Sequence, residues 1–484
     1  MRLATASFLV LSSLVGCGSE PGDVPATTTP DTTVSDTTAT DTTLSDATAT
    51  DTSVSDTGAD TAVDTSVPDV DDPWQAAFDH VFPENRVVDI TLDLPDGDWA
   101  ALLSDWQSSR LKNEYPAAFT FDAESLPNVA VRLKGLNSLN IPDSGPINET
   151  GKYPLKIDFN KLGGERFHQV DELALNTSNA DASRMRDPFT ARIYNAMGVD
   201  AARTAWADVT IEGAHIGTYV LAQVIDKRFL KERFGEADHA DDGNLYKCVY
   251  NQLGACSFEW LGDDKSAYVS ANGCAPGYEQ CGLVLQTNED DPTQNDYADL
   301  IHLIDVLNHA GAALETELPK VFDVDRFLRL AAVAYATSNF DSYFGKGHNY
   351  YLYRRNDGRF QMIPWDFDLA WGNTTCPDPV DDPTCGGAAS HPLTRLILEV
   401  PAWNATYRQY LQEVVDTWLT PERLAAWVTD ADTLLRDIVA SDPNLPLDGS
   451  YLEQIDATSA TGLGNLFRFM LDRRADILTK LPTP

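Results

Sequence analysis

The segment that most constrains the fold is residues 339–372, which contains two short runs rich in aromatic and large apolar residues. The runs, residues 349–354 and 359–363, are separated by residues 356–358, Asn-Asp-Gly. Asn, Asp and Gly tolerate the left-handed backbone that a tight hairpin turn requires. Pro364 follows the second run and cannot donate a further ladder hydrogen bond. The segment therefore predicts a β-hairpin that ends near Pro364.

Two acidic residues, Asp366 and Asp368, follow this hairpin directly. In extended backbone, residues two apart share a face, so both carboxylates would point the same way. Carboxylates at such close range repel each other unless a cation or a hydrogen-bond donor compensates them. A hard ion such as Mg²⁺, which prefers carboxylate oxygens, would do so. The alternative is that Asp366 caps a turn and that Asp368 is only solvated.

Two further polar residues precede the pair: Asp341 lies before the first run, and Asn349 opens it. An acid, then an amide, then a second acid is the order found in phosphotransferase sites. There the first acid orients or accepts a hydroxyl proton, and the amide and second acid hold the metal. The spacing between Asp341 and Asn349 differs from the H-R-D-x-x-x-x-N pattern of ordinary protein kinases. The pattern thus suggests this chemistry without specifying it.

The hairpin is one of a series of ordered motifs along the chain. They are residues 131–138 (VRLKGLNS), 152–159 (KYPLKIDF), 181–186 (DASRMR), 243–247 (GNLYK), 339–341 (NFD), 348–353 (HNYYLY) and 363–368 (IPWDFD). The series resembles the spore-coat CotH kinase family, and the similarity runs from about residue 86 to the C-terminus. The resemblance implies an atypical protein-kinase-like fold that binds ATP and Mg²⁺ and phosphorylates Ser or Thr of a protein substrate.

The resemblance also implies roles for individual residues. Asp341 corresponds to the catalytic acid, and Asn349 and Asp366 correspond to the amide and the acid that hold the metal. Asp368 stands where ordinary kinases have glycine and is a further candidate metal ligand. Lys156 is the first choice for the nucleotide-contacting lysine, because the run around it alternates like the V-A-I-K strand of kinases. The other candidates for nucleotide binding are Lys152, Lys134, Asn137, Ser138 and Arg186.

The N-terminal residues predict export and anchoring. Residues 1–17 combine Arg2 and a short apolar run with Leu-Val-Gly-Cys at positions 14–17, the form of a bacterial lipobox. We therefore expect a lipoprotein signal peptide, lipidation of Cys17 and attachment to the bacterial membrane or cell surface. Residues 18–72 are rich in Thr and Asp and contain acids but no base. Such a segment cannot form a core and is expected to be a disordered linker.

The remaining cysteines are typical of an exported protein. They are Cys248, Cys256, Cys274, Cys281, Cys376 and Cys385. An even number at short separations predicts disulfides in an oxidising compartment. The pairs Cys274 with Cys281 and Cys376 with Cys385 are favoured among the fifteen pairings that six cysteines permit. Zinc is the alternative, although the C-x₂-C spacing of common zinc sites is missing from the sequence.

Residues 73–484 form the folded part, for which we expect the α+β class and two lobes, as in a protein kinase. Strand-like runs and one amphipathic helix predict a mixed first lobe over about residues 80–235. A cysteine-containing insert covers about residues 245–290, and helical periodicity predicts a mainly helical second lobe over about residues 296–484, with the catalytic hairpin set among its helices. The formal net charge of −39 argues against a nucleic-acid partner.

The function expected from these observations is ATP- and Mg²⁺-dependent phosphorylation of a surface protein. A second hypothesis is a catalytically inactive, kinase-like adhesion or assembly lipoprotein. It is motivated by the scarcity of ATP outside the cytoplasm and by Gln223, which stands where many members of the family have an acid. A third hypothesis is a surface hydrolase that uses two carboxylates, but the chain has no pattern that specifies it.

Overall fold

The computed structural model describes residues 73–139, 151–235, 237–249, 255–372, 378–381, 391–444, 449–459 and 465–481. The expected signal peptide, lipidated Cys17 and linker 18–72 lie outside these residues, as do Cys376 and Cys385. Within the described part of the chain, no helix has the length and apolarity needed to cross a membrane.

Seven strands form a closed barrel. They are β1 (Val87–Asp93), β2 (Tyr115–Phe121), β3 (Glu124–Leu133), β4 (Leu155–Asp158), β5 (Glu172–Asn176), β6 (Thr204–Ile211) and β7 (Ala214–Gln223). Their order is β1-β2-β3-β4-β5-β7-β6, and β1 closes the barrel by pairing in parallel with β6. Alternate side chains point inward, and the interior holds packed phenylalanines at 119, 121, 159 and 167. Two helices, α1 (Pro73–Val81) and α2 (Asp98–Ser109), pack against this core.

The predicted hairpin is confirmed and belongs to a second sheet. Its strands are β11 (Tyr350–Arg354) and β12 (Phe360–Pro364), and Pro364 occupies the last paired position opposite Tyr350. The other strands of the sheet are β8 (Leu245–Val249), β9 (Val269–Ser270) and β10 (Cys281–Leu285), and the order is β12-β11-β8-β10-β9. The segment expected to be an insert therefore supplies the three strands that complete this five-stranded sheet beside the hairpin.

Helices dominate after residue 296, as the periodicity predicts. Besides α1 and α2, the described helices are α3 (Arg186–Ala196), α4 (Lys227–Phe234), α5 (Ala298–His309), α6 (Leu314–Val321), α7 (Val324–Ala336), α8 (Pro392–Glu399), α9 (Pro401–Glu413), α10 (Pro421–Ser441), α11 (Gly449–Ile455) and α12 (Leu466–Lys480). Helix α7 is buried on almost every side and forms the centre of a second hydrophobic core, which also includes α3 and side chains of the second sheet. The α+β class is thus confirmed.

Two disulfides are present among the described residues. Cys274 pairs with Cys281, which confirms that prediction, and Cys248 pairs with Cys256, a pairing that the sequence left open. Both lie in the segment that leads into and out of the second sheet. They tie short loops to β8 and β10, next to the hairpin.

Candidate active site

The end of the hairpin brings Asp366 and Asp368 together, although not through the extended backbone that the sequence suggested. That expectation is wrong, because Asp366 has a φ of 63° and the chain turns sharply there. The amide N–H of Trp365 still donates to the carbonyl of Asn349 at 3.0 Å, so the turn starts from the last rung of the hairpin. Beyond the turn, the carboxyl groups of Asp366 and Asp368 lie within hydrogen-bond reach of each other.

Asp341 is held by the residues that open the first hairpin strand. Its carboxylate accepts hydrogen bonds from His348 Nε2 at 2.9 Å and from Asn349 Nδ2 at 3.1 Å, and its backbone carbonyl accepts from Asn349 Nδ2 at 2.7 Å. Lys346 Nζ lies 3.5 Å from the same carboxylate. Burial alone would raise the pKa of Asp341, but the hydrogen bond and charge of His348, with Lys346, outweigh it and leave the pKa below its ordinary value. Asp341 is therefore a carboxylate at neutral pH.

The neighbouring carboxyl groups behave in the opposite way. Burial, followed by repulsion from Asp366, raises the pKa of Asp187 to about 7, even though the Phe367 amide donates to it. Burial also raises the pKa of Asp366, and burial together with the charge of Asp366 places the pKa of Asp368 well above its usual range. We call Asp187, Asp366 and Asp368 the acidic cluster. The positive charge of Lys134 opposes this rise at Asp366 and Asp187 without cancelling it.

Asp366 and Asp368 face a cavity of about 1700 Å³. Its wall comes from strands of the barrel, from the second sheet and from the segment that carries Asp341. The cavity is lined by seven Lys or Arg and seven Asp or Glu side chains, whereas the whole chain has a formal net charge of −39. Positive side chains are thus concentrated at this place in an otherwise acidic protein.

Five of these positive side chains lie close enough to influence one another. We call them the basic cluster, which consists of Lys112, Arg132, Lys134, Lys156 and Lys247. Burial, followed by neighbouring positive charges, lowers the pKa of Lys112 to about 7. Burial likewise lowers the pKa of Lys134 to about 8, although the charge of Asp366 acts in the other direction. The pKa values of Lys156 and Lys247 are lowered as well, again chiefly by burial. An anion in the cavity would stabilise the charged forms of these lysines.

Individual contacts fix the lysines of the basic cluster. Lys156 Nζ lies 2.5 Å from a carboxylate oxygen of Glu172 on the neighbouring strand β5. Lys134 donates to the side-chain oxygen of Asn176 and lies over the ring of Trp365, 5.6 Å from its centre. Lys134 also interacts with Asp366 of the acidic cluster, so the two clusters meet at this residue.

Of the residues singled out from the sequence, Asp341, Asn349, Asp366, Asp368, Lys134, Lys156 and Ser138 line the cavity. Lys152 does not. It is buried and pairs with Asp442 at 2.8 Å. Arg186 donates to the side-chain oxygen of Gln454 at 2.8 Å and lies 3.5 Å from Asp181, and it does not belong to the cavity wall either. The side chain of Asn137 lies outside the described part of the chain.

Sequence reasoning did not single out Lys247, Lys112 or Asp187. Lys247 lies on β8 opposite Tyr351 of the hairpin, and it ends the motif at residues 243–247. Asp187 directly follows the motif at residues 181–186 and lies in the first turn of α3. These two motifs could therefore have drawn attention to Lys247 and Asp187. Lys112 lies in a loop, where its Nζ is 4.1 Å from the centre of the Tyr278 ring, and no sequence motif marks it.

The fold and the site together define a class: an α+β protein in which Asp366 and Asp368 of the acidic cluster share one cavity with the basic cluster at the end of a β-hairpin. Comparison with known families makes the assignment more specific. The chain belongs to the CotH family, because the family model described as "CotH kinase protein" matches residues 131–477. It is also similar to the inner spore coat protein H of Bacillus subtilis (strain 168). The two are 26% identical over 278 residues, which cover 57% of this chain and 71% of that protein. The resemblance inferred from the motifs is thus confirmed.

Proposed function

We propose that this protein transfers the terminal phosphoryl group of ATP to Ser or Thr hydroxyls of a protein substrate, with Mg²⁺ as the metal. The observation that carries the proposal is the meeting of the two clusters in one cavity. In a complex of a metal ion with a triphosphate, the ion would compensate the acidic cluster and the phosphate groups would compensate the basic cluster. The two-lobed, kinase-like arrangement expected from the family belongs to the same proposal.

The acidic cluster fits a hard divalent ion. Asp366 and Asp368 supply carboxylate oxygens side by side, and their raised pKa values show that the charged pair is costly as it stands. A bound Mg²⁺ would supply positive charge that stabilises these carboxylates and the phosphate oxygens. Asn349 uses its Nδ2 atom on Asp341, which leaves Oδ1 as the atom of that amide with the chemistry of a metal ligand.

The basic cluster fits the phosphates. Lys134 is adjacent to Asp366, so in this proposal it contacts the phosphate nearest the metal, and Lys156 and Lys247 contact the remaining phosphates. Glu172 holds Lys156 much as an acid holds the nucleotide-binding lysine of protein kinases. Lys152, in its pair with Asp442, has no part in this site. Trp365 and Tyr278 provide flat apolar surfaces on the same wall.

Asp341 is the residue that we propose to act on the acceptor. It is ionised, and hydrogen bonds from His348 and Asn349 fix its orientation. In the reaction, the acceptor oxygen forms a bond to the γ-phosphorus while the bond from that phosphorus to the bridging oxygen of ADP breaks. Asp341 orients the acceptor hydroxyl and takes its proton. The role of His348 is to hold the carboxylate in place.

We further propose that the protein works outside the cytoplasm. The two disulfides among the described residues are typical of oxidising compartments. The name of the Bacillus subtilis relative places that protein in the inner spore coat. Export through the lipobox and lipid attachment at Cys17 complete the proposal, and the acceptor would then be a protein of the coat or envelope.

Incubation of the full chain with labelled ATP and Mg²⁺ tests the activity. We expect phosphate incorporation that requires Mg²⁺ and that is abolished by Asp366→Asn. Asp341→Asn should lower the rate while ATP binding persists, because Asp341 acts on the acceptor. Asp305→Asn, which changes an exposed acid on α5, is the matched control and should remain active. A wild-type protein that binds ATP but transfers no phosphate would contradict the phosphotransferase proposal.

A thermal-shift measurement separates this proposal from the non-catalytic alternative. A ligand at about 100 times its dissociation constant stabilises a protein by about 2.7 kcal/mol. We therefore expect ATP with Mg²⁺ to raise the melting temperature of the full chain. An adhesion or assembly module without a nucleotide site would show no such rise.

A further inference from the structure

We propose that His80, Glu124 and His168 form a binding site for a divalent transition-metal ion such as Zn²⁺, separate from the acidic cluster. The three residues come from different elements: His80 from the last turn of α1, Glu124 from the first position of β3, and His168 from a tight turn between β4 and β5. One nitrogen or oxygen atom of each lies within 4.8 Å of the corresponding atoms of the other two. That spacing suits three ligands around one ion.

The contacts of Glu124 bring the two imidazoles together. Its Oε1 lies 2.7 Å from His80 Nε2, and its Oε2 lies 2.8 Å from His168 Nε2. The centres of the two imidazole rings are only 4.2 Å apart.

The environment of His80 Nε2 is the first indication that hydrogen bonds alone do not explain how His80, Glu124 and His168 are arranged. This nitrogen is shielded from water and, within the described residues, it lies 2.7 Å from Glu124 Oε1 without meeting the geometric requirements of a hydrogen bond. A polar nitrogen shielded from water normally has a partner. A metal ion bound by Nε2, instead of a proton, would satisfy it.

The backbone at His168 is the second sign. His168 and Gln169 have φ values of 45° and 68°, so two successive residues other than glycine adopt left-handed backbone. The flanking residues Phe167 and Val170 exchange two backbone hydrogen bonds, at 3.0 and 2.8 Å, which lock this turn. The turn directs the imidazole toward Glu124, and glycine would fit the backbone better than histidine does.

The ligand types indicate which ions would bind. Two imidazoles and one carboxylate suit Zn²⁺ and related transition ions, and three protein ligands leave a coordination position for water. Mg²⁺ and Ca²⁺ prefer oxygen ligands and fit poorly. The nearby guanidinium of Arg86 is compensated by Asp122 at 2.6 Å. A bound ion would fasten α1 to the barrel.

Titration of metal-free full chain with Zn²⁺, followed by calorimetry and by the melting temperature, tests this proposal. We expect one ion to bind and the melting temperature to rise. His168→Asn and Glu124→Gln should each weaken binding by at least about 10- to 100-fold, since loss of an outer-shell partner alone has an effect of that size. Circular dichroism at 25 °C checks that both variants fold.

Two controls make the result specific. His215→Asn changes a histidine whose Nε2 lies 2.6 Å from the carboxylate of Asp208, and it should leave Zn²⁺ binding unchanged. Asp366→Asn removes a carboxylate of the acidic cluster and should also leave this ion bound. Absence of saturable Zn²⁺ binding in the wild type, or binding that survives in folded His168→Asn and Glu124→Gln, would overturn the proposal.

Discussion

Replacement of Asp442 by asparagine tests the buried ion pair between the end of α10 and the barrel. Asp442 Oδ2 accepts hydrogen bonds from Lys152 Nζ and from the Thr218 amide, each at 2.8 Å. The side chains of Asp442 and Lys152 are 0% and 4% exposed. Gly217 permits this approach, because a Cβ atom at that position would overlap the carboxylate. Asparagine keeps the shape and one acceptor oxygen, so the main change is loss of the charge opposite Lys152. The Asn444 amide, which donates to Oδ1 of Asp442 at 2.9 Å, loses its acceptor as well.

The expected loss of stability has two parts. Loss of the charge-assisted bond from Lys152 costs about 2 kcal/mol. Burial already lowers the pKa of Lys152 to about 8 in spite of Asp442, so without the carboxylate the folded protein releases this proton at pH 7. That release costs about 1 kcal/mol more, because pH 7 lies about one unit below the wild-type pKa. The total of about 3 kcal/mol agrees with the low end for a broken buried ion pair.

The pH dependence follows from the direction of the shift. The pKa of Lys152 is lower in the folded protein than its ordinary value of 10.5, so the folded state binds this proton less tightly than the unfolded chain. Its contribution therefore makes the wild type more stable as the pH rises from about 8 to about 10.5. In Asp442→Asn the amine is already neutral at pH 7. The difference between the two proteins should consequently become smaller between pH 7 and pH 9.

Urea unfolding at pH 7 and pH 9 measures both effects. The set consists of the wild type, Asp442→Asn, Lys152→Met and the double variant, which should recover much of the loss because neither buried charge remains. Asp472→Asn, in an exposed pair with Arg468 on α12, is the control and should cost less than about 1 kcal/mol. A loss below about 1 kcal/mol for Asp442→Asn at pH 7, or an equal loss at both pH values, would refute the reasoning.

Two further predictions concern a lysine of the cavity and the disulfide between Cys274 and Cys281. Lys247→Met should weaken binding of ATP with Mg²⁺ about 10-fold, because a half-buried positive charge on the cavity wall is removed. The control Lys161→Met changes an exposed lysine and should leave the affinity unchanged. Calorimetry that shows equal affinities for the wild type and Lys247→Met would contradict this role. Replacement of both Cys274 and Cys281 by serine should lower the free energy of unfolding by about 2 to 3 kcal/mol, since the disulfide closes a short loop. Urea unfolding is the measurement, and unchanged stability would count against it.

The hairpin and its acids could be predicted because their signals are local. The turn at residues 356–358 and Pro364 set the length of the strands, and the motifs around Asp341 and Asp366 are enough to indicate the family. The proximity of Asp366 to Asp368 was also predicted, but from an extended backbone, whereas the chain turns at Asp366. A left-handed residue other than glycine is rare enough that local preference argues against it, and only the surrounding contacts stabilise it.

The basic cluster could not be predicted in the same way. Lys156 was the first choice for the nucleotide-contacting lysine, with Lys152 and Lys134 as competitors, and the sequence could not decide among them, because each is a lysine in or beside a strand. Whether a lysine lines the cavity or pairs elsewhere depends on residues that are distant in the sequence. Asp442 lies 290 positions from Lys152, and Lys247 lies beside the hairpin because β8 pairs with β11. Such contacts have no local signature, since they arise when strands distant in the chain become neighbours.

The sequence by itself determined the α+β class, the hairpin, the order of the catalytic candidates and the family, because turn chemistry, side-chain periodicity and short motifs act over a few residues. The tertiary structure alone decided which charged side chains share the cavity and which are buried in pairs elsewhere. The physical reason is that charge interactions depend on distance and burial. Those quantities are set by closure of the barrel and by assembly of the second sheet.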